Sequence, residues 1–302
     1  MLKNKTWLVD SNSRLYVSLI LAMFVWGISW PSAKIVGRYA NADLLMFWRF
    51  VIGAMTMIPI MYFLKIKANF PKKSLRYVFI ASICLVGYNY NYLKGTQVGM
   101  AGLGGVIVPT LSPLVTTILA IFILNQSIKK KDITGILFGI IGSLILLEVW
   151  EFSIQELSKS GNLFFIIAAT VWAGATICTQ KAKTELNAVN FSLWLYLVAI
   201  LMVLPITPLN SIMDVFKFDW IFWVNFFVIS ALSLGFGTTV FFLSTMKIGS
   251  HETSSFMYVV PVSAVGFSVL FLGEPLAIST IIGGGFAILG VYLINQKEKK
   301  DL

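Results

Sequence analysis

The feature that most constrains this chain is that its apolar pattern is written twice. Val25-Trp26 recurs as Val171-Trp172, Asn41-Ala42 as Asn187-Ala188 and Trp48 as Trp194, all at a spacing of 146. Phe79, Gly87 and Pro113 recur as Phe227, Gly235 and Pro261, and Gly135, Phe138 and Gly142 as Gly283, Phe286 and Gly290, now at a spacing of 148. So small a slip between the two registers marks duplication rather than chance matching of glycine and tryptophan. The duplicated unit is apolar helix, so the fold must hold two similar sets of helices and bury the faces each set leaves bare.

Composition decides the solvent. Of 302 residues, 58% are hydrophobic and 12% charged, against about 25% charged in soluble domains. A membrane-crossing helix needs roughly 20 mostly apolar residues. Candidate stretches lie near 15–36, 44–64, 77–95, 101–124, 133–149, 162–180, 189–207, 220–245, 251–272 and 277–295. The expected fold is an all-α integral membrane protein, ten transmembrane helices arranged as two inverted five-helix repeats, 15–149 and 162–295, in one transmembrane domain over 1–302. Inversion follows from the odd number per repeat: helix one and its copy, helix six, cross in opposite directions. A doubled, inverted helical unit is the plan of many secondary transporters. The polar start Met1–Ser13 has no small-residue cleavage site, so the first helix is expected to be retained.

A net charge of +10 invites a nucleic-acid reading, but its placement argues for a lipid bilayer instead. Seventeen of the 23 basic residues, from Lys3, Lys5 and Arg14 to Lys297, Lys299 and Lys300, fall on one side of the ten-helix arrangement. The positive-inside rule then puts both termini in the cytoplasm of a bacterium, with the chain in its plasma (inner) membrane. The acidic stretch Glu148–Glu156 fits the outer face. Cys84 and Cys178 lie within apolar stretches without metal-ligand spacing and read as packing residues.

Two helices are rich in small residues: Gly135, Gly139 and Gly142 in the fifth, and Gly283, Gly284, Gly285, Ala287 and Gly290 in the tenth. Such faces allow close helix approach, either within one molecule or as the seam of a homodimer. Pro109 and Pro113, with Gly102, Gly104 and Gly105, make the fourth helix the expected hinge.

Polar and aromatic residues at helical spacing outline a pocket for a small molecule. Trp26 and Trp30 share one helix face, with Lys34 a turn beyond; Tyr88 and Tyr92 repeat the spacing, flanked by Asn89 and Asn91. Trp172, Thr176 and Gln180 follow at successive fours, and Thr239 and Tyr258 come from the eighth and ninth helices. The alternative for these rings is ordinary packing or anchoring at the interface. Lys34, Arg49 and Lys94 place positive charge in the spans, where it is costly. Their repeat counterparts are Gln180, Leu195 and Phe242, so only the first repeat offers cations to an anionic substrate group. Snorkelling to the interface is the competing reading, and for Arg49 a contact with Asp43.

Acidic residues sit only near helix ends, and the lone His251 reads as part of a cytoplasmic loop, so movement without proton coupling is expected unless Glu252 lines an inner vestibule. The chain has no phosphate loop and no His-Glu-x-x-His site. A single histidine makes a Ser-His-Asp triad implausible. No catalytic residue, cofactor or metal site is expected.

The run Val25-Trp26-Gly27-Ile28-Ser29-Trp30, then Lys34 and Trp48-Arg49-Phe50, resembles the start of the EamA family of the drug/metabolite transporter superfamily. So do the repeat ends: Pro113 followed twelve residues later by Asn125-Gln126, and Pro261 followed by Gly273-Glu274-Pro275. The second fits the family's Gly-Glu pattern; the first departs from it at Gln126. The resemblance implies alternating access around a central cavity and transport of amino acids, other metabolites or drug-like compounds, often as export. Substrate-binding residues on this reading are Trp26, Trp30, Lys34, Arg49, Tyr88, Tyr92, Trp172, Thr176, Gln180, Thr239 and Tyr258. A nucleotide-sugar or phosphate-ester carrier suits the same cations, and a non-transporting scaffold or receptor and an intramembrane enzyme are the readings from other classes.

Overall fold

The computed structural model describes residues 12–70, 72–99, 101–146, 149–151, 161–183, 186–272 and 278–296. Glu148, Glu156, Lys159, the Gly273-Glu274-Pro275 motif and the basic residues at both termini, Lys3, Lys5, Lys297, Lys299 and Lys300, lie outside these ranges. Within them the secondary structure is helical. The helices are α1 (Asn12–Val36), α2 (Ala42–Leu64), α3 (Leu75–Val98), α4 (Ala101–Leu124), α5 (Lys130–Leu146), α6 (Asn162–Ala182) and α7 (Ala188–Val203). Helix α8 runs through three segments, Trp220–Phe227, Val228–Thr238 and Thr239–Ile248. Helix α9 combines Ser250–Ser255, a tighter turn at Phe256–Tyr258 and Val259–Leu272, and α10 is Ile278–Asn295.

Of these, α1, α2, α4, α6, α7 and α8 are long and apolar enough to cross a membrane, so the chain is a multi-pass membrane protein. The others are shorter or carry more polar side chains; α3 holds Asn89, Asn91 and Gln97. In hydrocarbon every backbone group must be bonded within the protein, which selects helices. Hydroxyls in the apolar helices comply locally: Thr176, Thr179, Ser244 and Thr245 each donate to the carbonyl four residues back.

Helix α5 packs on α10, α3 on α6 and α7, α4 on α6, α1 on α8 and α9, and α2 on α7 and α8. Small residues set the closest of these approaches. A Cβ on Gly135 would lie 2.8 Å from the Gly290 carbonyl oxygen, and one on Gly142 would lie 2.6 Å from that of Gly283. Phe138 stacks on Phe286 between them at 5.4 Å. The glycine faces of α5 and α10 are therefore turned on each other. At opposite ends of the molecule, Trp48 Nε1 donates to the Ile212 carbonyl and Trp194 Nε1 to the Asn69 carbonyl, both at 2.7 Å.

Tyr16 of α1 stacks on Phe256 of α9 at 5.8 Å, and Lys131 of α5 bonds the Ile294 carbonyl of α10 at 3.3 Å. The starts of α1, α5 and α9 and the end of α10 thus share one end, here the termini side; the other is the far side.

One expectation, the placement of His251, needs correction, and two other features stand out. Helix α4 is helical through Pro109 and Pro113, and α8 is irregular, its Val228–Thr238 segment wound as a π-helix. Side-chain donors from three other helices hold carbonyls of that segment, as described below. His251 lies in the first turn of α9, not in a loop, because Gly249 alone, at φ +101°, makes the turn between α8 and α9. The α7–α8 connection contains a 3-10 helix, Leu209–Lys217, that buries Val215 and exposes Leu209, Met213 and Phe216.

Candidate functional site

An aromatic cluster fills the space between α1, α3, α6 and α8. Trp26 meets Trp172 edge-to-face at 5.1 Å, Tyr88 tilts onto Trp172 at 4.8 Å, and Phe241 closes against both indoles at 5.2 and 5.4 Å. Tyr88 stacks on Tyr92 at 5.8 Å, and Tyr92 meets Trp30 edge-on at 4.8 Å. Offset and edge-to-face pairs of this kind are the favoured arrangements of aromatic quadrupoles. Glycines make the room. A Cβ on Gly104 would stand 2.5 Å from the Trp30 ring, and one on Gly237 would stand 2.7 Å from Trp26 Nε1.

Polar groups fix the cluster's edges. Tyr92 donates its hydroxyl to the Ser29 carbonyl at 2.7 Å, and Trp26 Nε1 donates to the Ser233 carbonyl in the π segment at 3.1 Å. Tyr196 donates to the Leu234 carbonyl of the same segment at 2.7 Å. Trp172, 1% exposed, has no partner for Nε1 among the described residues.

Arg49 is the buried cation of this region, 2% exposed. Its Nε donates to the Ile229 carbonyl at 2.9 Å and Nη1 to Asn89 Oδ1 at 2.7 Å, and the guanidinium lies 4.7 Å from the Tyr92 ring centre. All three partners are uncharged, and among the described residues no carboxylate pairs with it. Asp43, offered by the sequence as a partner, is not among its contacts. Burial also removes the snorkelling explanation for Arg49. A desolvated cation held only by neutral groups is strongly disposed toward an anion.

The sequence-derived candidates divide. Trp26, Trp30, Tyr88, Tyr92, Trp172 and Arg49 come together in one region. Lys34 stands at the far side, donating to the Gly99 and Gln97 carbonyls at 2.8 and 3.3 Å, where it covers the C-terminal end of α3. Thr176 spends its hydroxyl on the Trp172 carbonyl. Thr239 bonds Ser192 Oγ at 3.0 Å and so joins α8 to α7. Gln180 accepts the Ser250 N–H at 2.6 Å, at the start of α9. Tyr258 is fully buried beneath Gly139 in a separate core with Ile136, Ala287 and Ile294. Lys94 is half-buried. Phe165, Phe241 and Asn89 belong to the region and were not among the candidates. Nothing separates the two phenylalanines from the apolar run around them, whereas Asn89, polar in mid-helix, carried a signal.

Two cavities lie away from this cluster, near the ends. One, of about 370 Å3 on the termini side, is lined by residues including Thr117, Gln126, Lys131, Asp132, His251 and Glu252. The other, of about 410 Å3, is an apolar groove between α2, α7 and α8 that includes Ile60, Leu64 and Leu243.

Comparison with known proteins gives a consistent picture. The model of the EamA-like transporter family matches the chain twice, at residues 14–148 and 159–296. The uncharacterized transporters YoaV and YyaM of Bacillus subtilis (strain 168) are 24% and 26% identical, over 93% and 92% of this chain and 96% and 92% of theirs. A WAT1-related chloroplastic protein of Arabidopsis thaliana, At3g02690, is 27% identical over 74% of this chain and 55% of its own. A protein of known crystal structure shares the fold with a TM-score of 0.72 at 16% identity, covering 94% of this chain and 99% of that one.

Proposed function

Because this chain belongs to the EamA-like transporter family, we propose that it is a secondary transporter that exports a small carboxylate-bearing metabolite, such as an amino acid, by alternating access. The membrane is the bacterial plasma (inner) membrane, and the termini side faces the cytoplasm, a sidedness that the excess of lysine and arginine there supports. The two matched segments are inverted repeats of five helices. Several observations support that arrangement. Exchanging α1 with α6, α2 with α7, α3 with α8, α4 with α9 and α5 with α10 turns the α3–α6 contact into α8–α1, α4–α6 into α9–α1, and α2–α8 into α7–α3, all of which occur. The same exchange relates Trp48, bonded to the α7–α8 connection, to Trp194, bonded to the α2–α3 connection.

Arg49 carries the substrate reading. A buried guanidinium with only neutral partners supplies charge-assisted bonds to a carboxylate, and the rings of Trp26, Tyr88 and Trp172 supply apolar and cation-binding faces for the rest of a zwitterion. Transport of this kind needs no bond-making group, in keeping with a transporter rather than an enzyme.

A thermal-stabilisation screen of purified protein against amino acids, organic cations, nucleosides and phosphate esters tests the reading. Carboxylate-bearing solutes are expected to stabilise the wild type, and Arg49→Leu is expected to weaken their binding about tenfold or more, the value of a hydrogen bond to a charged group. Arg49→Leu also leaves the Ile229 carbonyl and Asn89 Oδ1 without a donor, so binding is read from the ligand-induced shift relative to each variant's own unliganded stability. Lys34→Ala should weaken binding far less. Equal binding by Arg49→Leu and wild type would remove the anion site.

A further inference from the structure

The termini-side cavity holds a second polar arrangement. Two of its titratable groups come from opposite halves of the chain and are more than nine-tenths buried: Asp132 at the start of α5, 6% exposed, and His251 at the start of α9, 8% exposed. His251 Nε2 lies 3.8 Å from Asp132 Oδ1 and has no hydrogen-bond partner among the described residues. Its Nδ1 lies 2.7 Å from Thr117 Oγ1 of α4. Asp132 Oδ2 accepts the Lys129 N–H at 3.0 Å, so the carboxylate is fixed as a cap on α5. The Gln180 bond to Ser250 N–H fixes the start of α9 in the same way.

With a neutral imidazole, the Thr117 hydroxyl donates to Nδ1 and Nε2–H faces the carboxylate at a distance too long for a hydrogen bond, so no charge pair joins α9 to α5. One proton added at Nδ1 makes the pair: Nδ1–H donates to Thr117, Nε2–H still points at Asp132, and imidazolium faces carboxylate across the two helices. We infer that Thr117, His251 and Asp132 form a proton-binding site that ties α9 to α5, and that proton uptake from the cavity holds the termini side of the molecule closed. The proton adds to Nδ1, the Thr117 hydroxyl turns from donor to acceptor, and no other bond changes.

The charged groups sharing the cavity are Lys129 and Lys131, beside Asp132, and Glu252 on α9 itself. Lys131 is drawn aside by the carbonyls of Ile294 and Gln296. Lys130 of α5 and Lys181 of α6 are exposed, and Lys247 of α8 lines the apolar groove instead. Neighbouring α10 contributes the neutral Asn295, bonded to Ser255 at 2.8 Å. Asp132 is thus the buried acid that faces the ring.

The chain contains one histidine, so imidazole nitrogen spectra of 15N-labelled protein in lipid nanodiscs report on His251 without assignment. No substrate is needed. On acidification the wild type should show a protonated ring with a through-space contact from Nε2–H to a side-chain carboxyl carbon. Asp132→Asn should weaken proton binding about tenfold, as loss of an adjacent opposite charge does, and Glu252→Gln should weaken it less. Absence of the carboxyl contact in the wild type, or superimposable titrations of wild type and Asp132→Asn, would overturn the site. Protonation of both ring nitrogens together with that contact in the wild type decides the matter even if Asp132→Asn does not fold. The link from proton to movement rests on the transporter reading. In proteoliposomes, a pH gradient should drive flux of a solute found by the stabilisation screen in wild type and not in His251→Gln. An equal response in both would break that link, and if no solute moves, the transport reading fails while the spectra still judge the proton site.

Discussion

Two indoles in contact make opposite demands on their surroundings. Trp26 donates to the Ser233 carbonyl, whereas the Trp172 N–H, buried beside it, donates to nothing described. Trp26→Phe loses a bond worth about 1 kcal/mol. Trp172→Phe removes an unsatisfied donor and should be the milder of the two in thermal unfolding, although Trp172→Ala, which empties the centre of the cluster, should cost about 3–5 kcal/mol. A more harmful Trp172→Phe would mean that this N–H has a partner, such as bound solute. At the far side, Tyr39 donates to both oxygens of Asp219 at 2.9 and 3.0 Å. The Phe222 N–H, first, and then Tyr39 hold the Asp219 carboxyl below its ordinary 3.8, and the bond to Asp219 holds the Tyr39 phenol above 10.0. A lowered acid stabilises above its unfolded value and loses this as pH falls; a raised phenol stabilises below its unfolded value and loses this as pH rises. Melting curves of wild type and Tyr39→Phe should therefore differ across the neutral range and converge in strong acid and strong alkali.

Among the helices, small residues act where another ring or backbone must come close. Gly104→Ala would push into Trp30 and Phe165, an overpacking expected to cost about 1–3 kcal/mol. Gly102→Ala, with open space at its Cβ, should be neutral or slightly stabilising through higher helix propensity. Unfolding of the two variants in one detergent compares them directly, and equal losses would place the two glycines in the same role. The sequence made α4 the hinge because proline and glycine are visible breakers. The π segment of α8 has no proline; its irregularity goes with Arg49, Trp26 and Tyr196, whose donors reach carbonyls at Ile229, Ser233 and Leu234. Such a cause lies in three other helices and cannot be read from residues 228–238 alone.

For the whole molecule, the proposed inversion of the two matched segments predicts which end faces which compartment. In a Cys84→Ser, Cys178→Ser background, Met213→Cys on the far side should react with an impermeant thiol reagent from outside. Phe70→Cys should react only in inside-out vesicles; both native residues are exposed, at 63% and 57%. Labelling of both from one side would exclude the inversion. The helical, membrane-crossing character was legible because apolar length is a local property of the chain, and the family model matches the two segments that its self-similarity outlines. The site was legible in part: Trp26, Tyr88, Tyr92 and Trp172 meet as their spacing suggested, while Tyr258 and Gln180 point into other neighbourhoods.

Lys34 and Arg49 mark the division most clearly. In the sequence both are lone cations near span ends with unmatched repeat counterparts, and nothing local separates them. The sequence by itself determined that this chain fills a membrane with helices written twice and that its positive charge inside the spans belongs to the first copy. Only the tertiary structure decided that Lys34 covers the carbonyl end of α3, that Arg49 is buried against the π segment with no carboxylate partner among the described residues, and that His251 meets Asp132 across the two halves. The physical reason is that burial and pairing of a charge depend on which helices enclose it, and that is fixed by packing between segments more than a hundred residues apart.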